Sequence, residues 1–202
     1  MGDLLSALPG EGWDDTAWIE YYDGDRGLAE GFAKAGDAIL VAWQRGPHPN
    51  DTVLLPLIYN YRHGIELALK QAIRQAAACI CVGGNGEPEL WADNLETHLK
   101  RKHGHRLAPL ATQLQGLLTR LNLGDLGGES MKVLSRIHQL DPTGEAFRYS
   151  GHLNSTAYAV DVSRLAARFR EAFDIIHGGV LTMLDVHQDF LYERWEYDRM
   201  WG

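Results

Sequence analysis

Apolar residues recur every three or four positions along most of this chain, and that period belongs to α-helices. The spacing predicts a first helix over residues 25–44, where Leu28, Phe32, Ala35, Ile39 and Trp43 form a stripe weakened by Gly27, Gly31 and Gly36. Gly46-Pro-His-Pro-Asn50 breaks it. A longer second helix is expected from a cap at Asn50 or Asp51 to about Cys81, with Pro56 close to its start and Gly83-Gly-Asn-Gly86 stopping it. On its wheel Leu54, Ile58, Tyr61, Ile65, Ala68, Leu69, Ala72 and Ala76 share one apolar arc, with Leu55 and Ile73 at its edge. Residues 105–122 read as a third helix, with Pro109 in the first turn. Residues 129–140 read as a fourth, with Met131, Leu134, Ile137, His138 and Leu140 inward or nearly so, ended by Asp141-Pro-Thr-Gly144. Asp161 is placed to cap a last long helix, residues 162 to about 197, with a bend or break at Gly178-Gly179.

No alternating run is long enough for a convincing strand, so the expected class is all-α. The expected fold is a bundle of about five helices with a long C-terminal helix, in a single domain over residues 1–202. Residues 1–24, with Trp13, Trp18, Tyr21 and Tyr22, read as an irregular acidic lead-in whose aromatics dock on the core. Residues 185–202 read as an acidic aromatic C-terminal extension.

Charge changes the picture only through its distribution. The formal net charge of −8 argues against a general nucleic-acid coat protein. Residues 1–40, however, hold nine acids and two bases, and residues 185–202 hold five acids and two bases. The middle, residues 41–184, has thirteen acids and fifteen bases and can meet a phosphate backbone without opposing it. No apolar run approaches the roughly 20 residues of a membrane span, and the start of the chain does not resemble a signal peptide. The expectation is a cytoplasmic protein with no membrane association. Cys79 and Cys81 are the only cysteines and suggest neither a disulfide framework nor a four-ligand zinc site.

Candidate chemistry gathers on the second helix. Arg62 and Glu66 lie four apart at the edge of its apolar arc, and His63 and Lys70 lie two turns apart on another face. This set reads either as a site or as an ion pair trimming the edge of the core. Metal-free RNA cleavage needs a base for the 2′-hydroxyl, an acid for the leaving oxygen and a cation for the phosphorane. Arg62, His63, Glu66, His105 and Arg148 supply those types and are the catalytic candidates. Arg62, Glu66 and Arg148 are expected to form one network beside His63 or His105. Lys70, Lys100, Arg101, Lys102 and Tyr149 are the substrate-binding candidates, although a basic run such as 100–102 also serves as a solvated loop. The bland alternative pairs Arg148 with Glu66 in the core and makes His105 a helix cap. His98, His103 and His105, with Glu96 or Glu66, form a weak metal set; no metal or other cofactor is expected.

Three of these pieces together resemble bacterial helical proteins grouped with the HEPN superfamily. Arg62-His-x-x-Glu66-Leu-x-Leu-Lys70 matches the first element of their pattern. Gly104-His105 with Leu107 and Leu110 matches the second, with Arg106 where the pattern has Asp. Asp141 and Phe147-Arg148-Tyr149 match the third, with Ser150 in place of Pro. The resemblance covers about residues 50–180. It implies a helical bundle, a homodimer, and a toxin–antitoxin or phage-defence setting in which many members are metal-independent endoribonucleases acting on RNA. The Arg-x4–6-His signature of those nucleases has a counterpart in Arg170 and His177. That spacing arises by chance about twice in a chain of this composition, and Glu171-Ala-Phe stands where a polar-x-x-His is usual. The alternative function is a non-catalytic helical module that docks a partner protein or antitoxin through its C-terminal tail, where Phe190, Tyr192, Trp195, Tyr197 and Trp201 cluster.

Overall fold

A computed structural model describes residues 24–46, 50–148 and 159–201, and every element in it is helical. In chain order these are α1 (Gly24–Arg45), α2 (Leu54–Val82), α3 (Ala92–His98), α4 (Leu107–Arg120), α5 (Gly128–Leu140), α6 (Val162–Asp174) and α7 (Leu181–Trp201). The predicted all-α class is therefore observed, and no strand occurs among the described residues. The expected lead-in and Tyr149 lie outside the described residues, apart from Gly24, which opens α1.

The caps fall where the polar residues predict them. The Asn50 side chain accepts from Thr52 N at 3.1 Å, opening a short 3-10 turn (Asp51–Val53) that leads into α2. The Asp161 side chain accepts from Arg164 N at 3.0 Å and opens α6. Gly83 ends α2, its N–H bonding Cys79 O at 3.0 Å. The bend or break expected at Gly178-Gly179 takes the form of a wide π-type turn (Ile175–Val180) through which α6 runs on into α7. Residues 87–104, to which the apolar spacing assigns no helix, carry α3 and a second π-type turn (Leu99–His103), because Leu95 and Leu99 bury one face there.

α2 is the central element, packing on α1, α4, α6 and α7, while α5 closes the bundle against α4 and α6. Most of its arc is buried: Ile65, Ala68, Leu69, Ala72 and Ala76, with Ile73 at the edge, are wholly covered and Ile58 and Tyr61 nearly so, while at the start of the helix Leu54 is only partly covered and Leu57, outside the expected arc, is buried instead. α1 meets it through Ala29, Ala33 and Gly36, one position round from the expected stripe. Small residues win because the helices come close: a Cβ on Gly64 would sit 2.9 Å from Ala29 O. Leu140 is also outside expectation, half-exposed at the end of α5. Among the described residues no helix is long and apolar enough to cross a membrane.

Candidate functional site

Arg62 and Glu66 do more than trim the edge of the core. They are buried within it, 0% and 1% exposed, on the side of α2 that meets α4. A charge there needs full pairing. Glu66 Oε2 accepts from Arg62 NH1 at 3.0 Å, and Oε1 accepts from Lys70 Nζ at 2.7 Å and from His105 Nδ1 at 2.8 Å. Arg62 Nε makes an ion contact of 2.7 Å with Asp141 Oδ2, off the line of a hydrogen bond. Two cations and two carboxylates thus balance in one buried cluster. Burial, the largest single influence on Glu66, pushes its pKa up, but Lys70 and His105 outweigh it and hold the carboxyl below its ordinary value.

The cluster joins three distant segments. Arg62 NH2 donates to His105 O at 2.5 Å, fixing the backbone of the turn before α4 while Glu66 holds the ring. Asp141, itself fully buried, accepts from Gly144 N at 2.7 Å and Ala146 N at 3.0 Å, and so shapes the turn after α5. Gly144 has φ +88°, and a Cβ there would meet His105 Cβ at 2.5 Å and Arg62 NH2 at 2.9 Å. The turn approaches this closely only because the residue is glycine.

The outer face of the cluster is chemically distinct. The His105 side chain is 48% exposed, although its Nδ1 is tied to buried Glu66. With Nδ1–H donating to the carboxylate, Nε2 carries the free lone pair. His63 packs its ring edge-on to Phe32 (centroids 4.4 Å) and stacks on Tyr59 (5.6 Å, 10° between planes). Its Nδ1 lies 4.0 Å from Glu66 Oε2, without a hydrogen bond. Burial pulls the His63 pKa below its ordinary value, against the attraction of Glu66. The Arg148 guanidinium stands over the other aromatic of this group, 5.0 Å from the Tyr59 ring centroid.

The expected network is therefore realised in part and corrected in part. Arg62, Glu66 and His105 converge, and His63 adjoins them. Arg148 is not a partner of Glu66: Lys70 takes that place, being one helical turn away, while Arg148 is drawn to the face of Tyr59. Lys100, Arg101 and Lys102 are exposed on the π-type turn and have no ion-pair partner among the described residues. Lys102 lines a shallow depression of 610 Å³ with His98, His103 and His138. The rings of His98 and His103 meet at 5.1 Å and His105 turns away to Glu66, so the considered metal set does not assemble. Among the described residues no group of three His, Cys, Asp or Glu is gathered as metal ligands.

Arg170 and His177 belong to a different seam. Arg170 pairs with Asp37 (2.7 Å) and Asp174 (3.0 Å), and His177 stacks on Phe173 with its Nε2 3.2 Å from Arg26 O. Arg170 ties α6 to α1, and His177 sets the π-type turn that follows α6 against α1. Sequence reasoning placed Asp141 both at the helix stop and in the third element of the pattern, but did not make it a partner of Arg62, and it missed Gly144 as part of the cluster. The signal was present in the acid that opens that turn, but nothing local indicates a buried arginine as its partner. Comparison of the chain with family models, curated proteins and solved structures finds no match in any of the three.

Proposed function

We propose that this protein acts on RNA or a nucleotide through the exposed imidazole of His105, as a HEPN-like metal-independent endoribonuclease of the toxin or phage-defence kind. The observation that carries the reading is the shared Glu66 Oε1, which holds His105 Nδ1 at 2.8 Å and Lys70 Nζ at 2.7 Å. A buried carboxylate orienting a half-exposed histidine is the arrangement a general base needs. In the cleavage step His105 Nε2 takes the 2′-hydroxyl proton, the oxygen attacks phosphorus, and the 5′ oxygen leaves and is protonated by solvent. Lys70 supplies a cation beside the phosphorane. Arg148 and Tyr59 offer a charged and aromatic surface next to it, suited to a phosphate and a base. His63, held neutral by burial, positions Tyr59 and does not deliver the leaving-group proton. The reading includes a homodimer and a cytoplasmic setting, the latter consistent with the free thiols Cys79 and Cys81.

The test is cleavage of a defined single-stranded RNA in excess chelator. His105→Ala should lower the rate about 100-fold or more with unchanged helicity. Lys70→Ala should weaken it less. Full activity in His105→Ala rejects the catalytic assignment. A wild-type protein that neither cleaves nor binds RNA favours the second reading, a non-catalytic module that docks a partner protein. The exposed aromatic residues of α7 support that alternative.

A further inference from the structure

The π-type turn between α3 and α4 gathers histidines. In an α-helix residues five apart point about 140° from each other. The wider turn, closed by Gly104 N donating to Leu99 O at 2.8 Å, brings His98 and His103 to one side, with ring centroids 5.1 Å apart. His138 joins them from α5, and Thr112 and Gln113 from α4. With Lys102, Ala108 and Pro109 these residues line the 610 Å³ depression. His103 is 7% exposed, and neither of its ring nitrogens has a hydrogen-bond partner among the described residues. Gln113 draws the His103 pKa up, yet it falls short of hydrogen-bond geometry, and its Oε1 is unpaired too, as is Nδ1 of His138. Buried polar atoms left in this state are costly, and here they converge on one depression.

Charge decides what kind of group would supply their partners. Among the described residues no Asp or Glu lines the depression. Lys102 is exposed there, and Arg106 donates to the carbonyls of Lys102 and His103, which fixes its guanidinium beside the turn. Burial leads in lowering the His103 pKa, and the charges of His98, Lys102 and Arg106 add to it. For His138 burial is followed by Arg106 and Arg62, opposed by Asp141. α4 begins at the edge of the depression without a side-chain cap, so the positive end of its dipole adds to the same field. A metal ion would enter against that field, whereas an anion is drawn by it. Each neutral imidazole keeps one N–H to donate, and Lys102 brings a movable charge.

We infer that the depression between the π-type turn, α4 and α5 is a phosphate-binding site, with Lys102 as its mobile cation and His98, His103 and His138 as donors. This takes up the phosphate-binding part of the reading above and does not depend on cleavage at His105, whose ring is held by Glu66 instead. The ends of Lys102 and Gln113 swing aside to admit phosphate oxygens to the covered nitrogens. Ala108 and Pro109 offer an apolar surface to an attached sugar or base. The phosphate belongs to a free nucleotide or to an RNA chain, which present the same non-bridging oxygens.

Calorimetric titration of the full chain in excess chelator tests the inference. The probes are adenosine 5′-monophosphate, adenosine, and a short 2′-O-methylated RNA that the proposed chemistry does not cleave. The monophosphate should bind about ten-fold or more tighter than adenosine. Lys102→Ala should weaken it about five-fold and His103→Ala about ten-fold, while His105→Ala binds it as wild type does. His103 is buried, so its variant is read only with helicity unchanged; Lys102 is exposed, and its variant stands by itself. In NMR spectra the monophosphate should move the ring signals of His98, His103 and His138 and leave those of His177. Tighter binding of the RNA assigns the phosphate to an RNA chain and the reverse order to a free nucleotide, and each supports the site. No binding up to about 10 mM, or equal binding of adenosine, overturns it. Binding indifferent to Lys102→Ala, or ring shifts confined to His63 and His105, overturns this site and leaves the proposed function standing. Phosphate binding here by a protein that cleaves no RNA removes the nuclease and keeps the site.

Discussion

Arg62 shows how one side chain fixes the site. Its guanidinium spends one nitrogen on Glu66, one on Asp141 and one on the carbonyl of His105, and none reaches water. Removing one partner leaves a buried charge under-compensated, so Asp141→Ala should cost roughly 3–5 kcal/mol. Gly144→Ala adds one methyl group where φ is +88° and Arg62 and His105 already crowd the space. It should cost about 2–4 kcal/mol and displace His105 from Glu66. Urea unfolding measures both, and a Gly144→Ala protein as stable as wild type would mean the turn does not sit against the cluster. At this scale the Arg62–Glu66 pair was legible because residues four apart on a helix must meet. The pairing with Asp141 was not, since Asp141 comes from another segment, and neither its turn context nor its place in the third element of the pattern says which cation it meets. Arg148 misled for the complementary reason: a cation on a loop near a carboxylate has several destinations, and the ring of Tyr59 was nearer to hand than Glu66.

At the scale of elements, apolar period located the helices, and polar caps located several of their ends. It did not say which residues of α1 would face α2. The large side chains Leu28, Phe32, Ile39 and Trp43 suggest one face, yet Ala29, Ala33 and Gly36 are the residues that disappear from solvent. The reason is reciprocal. Gly64 on α2 lets the helices approach until backbone meets backbone, and only small residues fit such a contact; the large ones spread to either side, where Phe32 reaches His63. Period alone cannot report this, because the partner's glycine determines it. Gly64→Ala would place a methyl group 2.9 Å from Ala29 O and 3.3 Å from Ala33 N, both backbone atoms that cannot rotate aside. The expected cost is about 1–3 kcal/mol by denaturant unfolding. Tyr59 and His63 also ride on this seam, so the same substitution should shift the near-ultraviolet circular dichroism of the aromatic group. An unchanged midpoint would show that α1 docks less closely than described.

Across the whole molecule the titratable groups that folding perturbs share one direction in acid. His63, His103 and His138 all have pKa values pulled below the ordinary histidine value, with burial the leading cause in each. His98 adds to the effect on His103, and Arg106 and Arg62 add to that on His138. A lowered folded pKa means that the unfolded chain binds these protons first. Their contribution is intact above about pH 6.5 and is lost progressively as pH falls from there through the depressed values. Glu66 acts lower down. Its carboxyl is held below the ordinary value by Lys70 and His105, so the stability it lends is present above the unfolded carboxylate pKa and disappears as pH falls below about 4.5. Acid should therefore weaken the fold in two stages, an early one from histidines and a later one from the buried carboxylate. Urea midpoints taken at pH 8, 7, 6, 5 and 4 should be level at first, decline below about 6.5, and drop further near 4. His138→Gln, at a half-buried position outside the Arg62–Glu66 cluster, should flatten the early decline and leave the late one. Stability that stays constant or rises between pH 7 and 5.5 would show that these rings are not buried neutral, and that His63 is free to serve as an acid after all.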